Sequence, residues 1–132
     1  MPQIGPTPDD AGMNERDICE VVITGPNPGW LTTFTRRLVD DRLAACGQHI
    51  ETIRSVYRWD GAVQDEPEAR VALHTRVSLV SAIVARAEAD HPYDVPCVLA
   101  LLVVAANPAY VQWVLDETQA PPAEGDGGSG AT

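Results

Sequence analysis

Hydrophobic positions change period from block to block along the chain, and each block reads as one element. Ile18-Cys19-Glu20-Val21-Val22-Ile23-Thr24 is rich in β-branched residues and stops at Gly25-Pro26, the pattern of a strand. Asn27-Pro28 then places a capping side chain before a proline suited to the first helical position. Leu31, Phe34, Leu38, Val39, Leu43 and Cys46 follow at helical spacing, with Arg36, Arg37, Asp40 and Asp41 mostly on the opposite side. Gly47 is expected to end that helix, because glycine tolerates positive φ.

The period then drops to two. Ile53, Ser55, Tyr57 and Trp59 alternate with Thr52, Arg54, Val56 and Arg58, and Asp60-Gly61 is the strongest short hairpin signal. The chain returns through Val63 to Ala69, Val71, Leu73 and Thr75, alternating with Glu68, Arg70, Ala72 and His74, which completes a long antiparallel hairpin. Pro67 has no N–H to donate, so its stretch belongs at an edge or a bulge. Ser78 is expected to cap a second helix with Val80, Ile83, Val84 and Ala87 inward, ending before Pro92. Val98 to Ala105 is apolar on both parities and reads as a strand buried on both faces. Asn107-Pro108 opens a short last helix carrying Tyr110, Trp113 and Val114. The order β-α-β-β-α-β-α predicts an α+β, ferredoxin-like fold, an antiparallel sheet with helices on one face.

Residues 1–16 and 118–132 carry Pro and Gly with few apolar groups and are expected to be flexible tails around one domain at 17–117. Nine basic residues, all Arg, against nineteen acidic ones give a net charge of −10. That balance disfavours nucleic acid and anionic membrane as partners and favours cations. The N-terminus lacks the basic and apolar regions of a signal peptide, and the longest apolar run falls short of the ~20 residues that span a bilayer. Cys19, Cys46 and Cys97 do not make a disulfide framework, which suits a reducing cytoplasm. No Gly-x-Ser-x-Gly elbow, His-Glu-x-x-His pair or phosphate-cradling glycine loop is present, so the chain is expected to bind rather than catalyse.

Five segments add a further reading: Leu43-Ala44-Ala45-Cys46, Ser55-Val56-Tyr57-Arg58-Trp59-Asp60-Gly61, Glu68, His91-Pro92-Tyr93-Asp94-Val95-Pro96 and Tyr110-Val111-Gln112-Trp113. In this order and at these distances they resemble the CutA family of divalent-cation tolerance proteins. The resemblance implies a ferredoxin-like protomer in a tight homotrimer whose hairpins pack against neighbouring subunits. It also implies binding of copper or another divalent ion, zinc included, and a role in metal tolerance. Because the trimer is similar to that of PII signalling proteins, an alternative is a regulatory trimer that takes a small organic ligand in its inter-subunit clefts.

Carried over by position, the family's metal ligands fall on Ile23, His91 and Cys97, of which Ile23 cannot ligate. Imidazole with thiolate suits copper(I) or zinc better than hard cations. Two ligands do not close a site, so others would come from water or another subunit. The alternative is that Cys97 simply packs at the start of the last strand while His91 caps a helix. Cys46-Gly47-Gln48-His49 has Cys-x-x-His spacing, read as helix-end packing for Cys46 and solvent exposure for His49. His74 stands where the family more often has Lys and would attract an anion in a cleft; its alternative is an outward-facing strand residue. Tyr57 and Trp59 are expected at the trimer interface. Tyr93 and Trp113, near Glu68 in the family picture, are expected to line a cleft.

Overall fold

A computed structural model describes residues 14–120. Four strands, β1 (Ile18–Gly25), β2 (Cys46–Trp59), β3 (Ala62–Arg76) and β4 (Val98–Leu102), form one sheet in the order β2-β3-β1-β4. Every neighbouring pair is antiparallel. Helices α1 (Pro28–Asp40), α2 (Val80–Asp90) and α3 (Pro108–Glu117) complete an α+β fold. The Asn27 side chain accepts from the Trp30 N–H, and Pro28 starts α1 as expected.

Strand alternation divides the sheet. Cys19, Val21 and Ile23 of β1 and Ala69, Val71 and Leu73 of β3 turn to one face, where Leu31, Phe34 and Leu38 of α1 and Ile83 and Ala87 of α2 bury them. Each large side chain sealed there contributes about 1.5–3 kcal/mol. The expectation of helices on one face fails for α3. Val114 and Leu115 pack on Ile18 on the other face, because alternation leaves Ile18, Glu20 and His74 pointing away from α1.

Several local expectations also shift. Helix α1 stops at Asp40, and Arg42 makes the turn with φ 61°. Cys46 therefore starts β2 instead of ending a helix, and Gly47 lies within that strand. Gly47 is there for space: a Cβ would meet Thr35 Cγ2 at 2.5 Å and Leu73 and Val71 methyls at 3.1 Å. A bulge between Ile50 and Ile53 shifts the register of β2 by one residue. Asp60 and Gly61 take φ 54° and 81°, the left-handed pair that a two-residue hairpin demands. Pro67 lies where β3 has run past the end of β1, so its missing N–H costs no pairing on that edge.

Ser78 is not a cap; it sits in a single 3-10 turn, Val77–Leu79, with no side-chain capping bond. The strand expected over 98–105 to be buried on both faces is instead an edge strand ending at Leu102. Leu99 is 56% exposed and Leu101 51%. The expected tails lie mostly outside the described residues. At the C-terminal boundary, Thr118 is buried and the Gln119 N–H donates to the Arg42 carbonyl.

Two outcomes follow from this packing. Gly47→Ala should lower unfolding free energy by about 1–3 kcal/mol in urea titration, because Thr35 is buried on α1 and has little room to yield. Burial pushes the Cys19 thiol from its ordinary 9.0 up to about 11, so the folded state holds that proton longer than the unfolded chain. Stability present below pH 9 should then be lost as pH rises through 11, and Cys19→Ala should flatten that loss in urea midpoints.

Candidate functional site

The β2–β3 hairpin extends beyond the last β1 pair, Gly25 with Ala69, and the segment between α2 and β4 folds against its base. Between them opens a cleft of about 510 Å³ lined by Thr24, Ser55, Tyr57, Trp59, Glu68, Tyr93, Asp94 and Cys97. Glu68 is its polar centre. One carboxylate oxygen accepts from Ser55 Oγ at 2.6 Å and the other from the Tyr93 hydroxyl at 2.7 Å. The bulge in β2 makes this possible, since it turns Ile53, Ser55, Tyr57 and Trp59 to the same face as Glu68. Burial, the hydrogen bond to Glu68 and the carboxylate's charge together hold the Tyr93 hydroxyl well above the usual tyrosine range. Tyr57 donates to Glu66 at 2.7 Å at the cleft's outer side.

His91 caps α2 behind this cleft and is buried. Its Nε2–H donates to the Thr24 carbonyl at 2.7 Å, and its Nδ1 accepts from the Tyr93 N–H at 3.1 Å. A carbonyl can only accept and an amide N–H only donate, which assigns the neutral Nε2–H tautomer. The ring also meets Trp30 edge-on at a centroid distance of 4.7 Å. His91 thereby holds Tyr93 in place, and a metal at either nitrogen would first have to break one of these bonds. Cys97 is exposed in the cleft wall, not packed into the start of β4. Ile23 is fully buried in the core.

His74 and Trp113 stand apart from Glu68 in this chain, in a second group at the α3 end of the sheet. There His74 Nε2 lies 2.9 Å from Glu20 Oε2, while Nδ1 lies 2.5 Å from the Tyr110 hydroxyl and 3.6 Å from Cys46 Sγ. Trp113 packs against Tyr110 at 5.6 Å between ring centroids. Cys46 and His49 do not pair: three residues apart on a strand, they face opposite sides, and His49 is half-buried, not exposed. Glu20 carries no local signal of a site, and its place beside His74 follows only from the β1–β3 register. Ser55 and Asp94 join the cleft from within the segments Ser55–Gly61 and His91–Pro96.

A family model described as CutA1 divalent ion tolerance protein matches residues 19–117. This chain belongs to that family. It is 33% identical over 118 residues to Protein CutA of Mus musculus, covering 89% of this chain and 67% of that one. To the chloroplastic Protein CutA 1 of Oryza sativa subsp. japonica it is 35% identical over 99 residues, or 75% of this chain and 56% of that protein. The divalent-cation tolerance protein CutA of Thermus thermophilus is 34% identical over 98 residues, 74% of this chain and 95% of its own length. The match thus spans little more than half of the rice relative but nearly all of the bacterial one. Among solved structures, CutA1 from Oryza sativa matches with TM-score 0.76 at 34% identity, covering 78% of this chain and 94% of that one. CutA from Xylella fastidiosa matches with TM-score 0.75 at 31% identity, covering 78% and 99%.

For a CutA1-family chain the donor set is sparse. Among the described residues, no three His, Cys, Asp or Glu side chains come together to hold an ion. The cleft offers an exposed thiol with two carboxylates along its wall, so one chain alone does not close a metal site. No helix among the described residues is long and apolar enough to cross a membrane. Glu68→Gln should cost about 1 kcal/mol, since an amide cannot accept from both hydroxyls as a carboxylate does. In the same variant Tyr93 should ionise at lower pH in ultraviolet titration, because the charge that opposed the tyrosinate is gone.

Proposed function

We propose that this CutA1-family chain works as a cytoplasmic homotrimer of ferredoxin-like protomers that binds copper or another divalent ion and contributes to metal tolerance. It acts as a binder, with the ion as its cargo. The observation that carries the metal reading is the exposed Cys97 thiol in a cleft whose wall also carries Glu68 and Asp94, on a chain of net charge −10. Thiolate favours a soft or borderline ion, and the acidic field draws cations toward the cleft. Cys97 is the entry ligand. His91 joins it only by releasing Thr24 or Tyr93, and water or a neighbouring subunit completes the shell.

The trimer is supported by apolar surface that one chain leaves uncovered. Leu99, Leu101 and Leu102 lie on the β4 edge, while Val56, Tyr57, Trp59 and Val63 lie on the projecting hairpin. Edges of this kind invite pairing, and cyclic closure would cover three of them at once. The family name, divalent ion tolerance, supports the biological role. Free Cys19, Cys46 and Cys97 are compatible with a reducing compartment.

Light scattering with elemental analysis on the same peak tests both halves. The expected result is a trimer that retains copper or zinc after excess metal is removed, with isothermal titration giving a Kd below ~100 μM, or about −5.5 kcal/mol. Cys97→Ala should abolish most of that binding and His91→Ala should weaken it. A monomer would overturn the assembly. A metal-free trimer would overturn the metal reading and leave the cleft to a small organic ligand.

A further inference from the structure

The Glu20, Cys46, His74 and Tyr110 side chains converge from β1, β2, β3 and α3 on the sheet face opposite α1. None of them lines the Glu68 cleft. We propose that Cys46 and His74 form a separate site for a soft or borderline d10 cation, zinc or copper(I), with Glu20 as the positioning residue behind the histidine. The inference goes beyond the cleft reading and does not rest on it.

The geometry is that of a ligand pair. Zinc binds thiolate at about 2.3 Å and imidazole at about 2.0–2.1 Å, so two such ligands at a tetrahedral angle stand about 3.5 Å apart. Cys46 Sγ and His74 Nδ1 are 3.6 Å apart, which lets one ion bridge them with little movement. Glu20 supplies the remaining requirement. Its carboxylate, 2.9 Å from Nε2, keeps the proton on that nitrogen and leaves the Nδ1 lone pair as an acceptor on the side where the Cys46 thiol and the Tyr110 hydroxyl lie. A carboxylate on the far nitrogen is the arrangement that metal-bound histidines characteristically have. The His74 side chain is 15% exposed, against 36% for Glu20, so the ring is the more enclosed of the two.

Tyr110 occupies the third corner, its hydroxyl 3.4 Å from Cys46 Sγ and 2.5 Å from His74 Nδ1. In the metal-free chain its O–H holds the Nδ1 lone pair. An entering ion takes over Nδ1, displaces the Cys46 proton to solvent and leaves Tyr110 hydroxyl or water as a neutral further ligand. The thiolate and the Glu20 carboxylate together offset the charge of a divalent ion.

Cobalt(II) is the probe, read by its thiolate-to-metal absorption band in full-length Cys97→Ser protein, which lacks the cleft thiol. Cys19 is 1% exposed and stays in every variant as an internal control. The expected result is a band that zinc displaces, that disappears on adding Cys46→Ser, and that titrates 10–100-fold more weakly on adding Glu20→Gln. Glu20→Gln leaves both ligands in place at equal side-chain size, so it keeps the test decisive if the Cys46 variant fails to fold. The proposal is overturned by no band in the Cys97→Ser protein, by a band that outlasts Cys46→Ser, or by unchanged affinity in Glu20→Gln. Wild-type protein that binds while Cys97→Ser does not would remove this site and keep the cleft.

Discussion

Strand β1 constrains the rest of the molecule. It is hydrogen-bonded on both edges, to β3 and to β4, and packed on both faces. Cys19, Val21 and Ile23 seal the core, while Ile18 receives α3 on the other side. A slip of one residue would drive Glu20 into the core and expose Val21, so the register is firmly specified. That register places Glu20 opposite His74 at one end of the strand, and at the other the Thr24 carbonyl receives His91. The cleft and the Cys46–His74 group hang from opposite ends of the same eight residues.

Close approach at β2 is the second constraint. The Thr35 side chain of α1 packs directly onto Gly47, which lets the helix lie close because the strand contributes no side chain there. Beyond Gly47 the bulge at Ile50–Ile53 turns the hairpin's polar and aromatic side chains toward Glu68. Tight packing at the base and a free-standing tip are thus properties of one strand. The tip carries Tyr57 and Trp59 away from the core and leaves them half-exposed, which is why the proposed trimer gives the hairpin its partner.

Charge and donor chemistry place the two candidate cation sites differently. The cleft is open, acidic along its wall and soft only at Cys97. The Cys46–His74 group is smaller and half-buried, and a carboxylate already orients its histidine. Family membership bears on tolerance to divalent ions as a whole. The two donor arrangements concern where in this chain an ion would be held.

Local signals in the sequence determined the element order, the Asn27 cap, the Asp60-Gly61 turn and the family, because each depends on residues within a few positions of one another. Strand alternation also marked Tyr57 and Trp59 as one face. What the sequence left open depended on distant neighbours. Gly47 looked like a helix end because its real reason, the Thr35 methyl, sits twelve residues back across a turn. Val98–Ala105 reads as buried because apolarity on both faces signals burial without saying whose surface provides it, and β4 ends at Leu102 as an exposed edge. The sequence leaves His91 either a ligand or a helix cap; it caps α2, and backbone groups of β1 and its own loop engage both its nitrogens. Only the tertiary structure brought Glu20, Cys46, His74 and Tyr110 together, since β1, β2, β3 and α3 meet through long-range pairing and packing that no local pattern encodes.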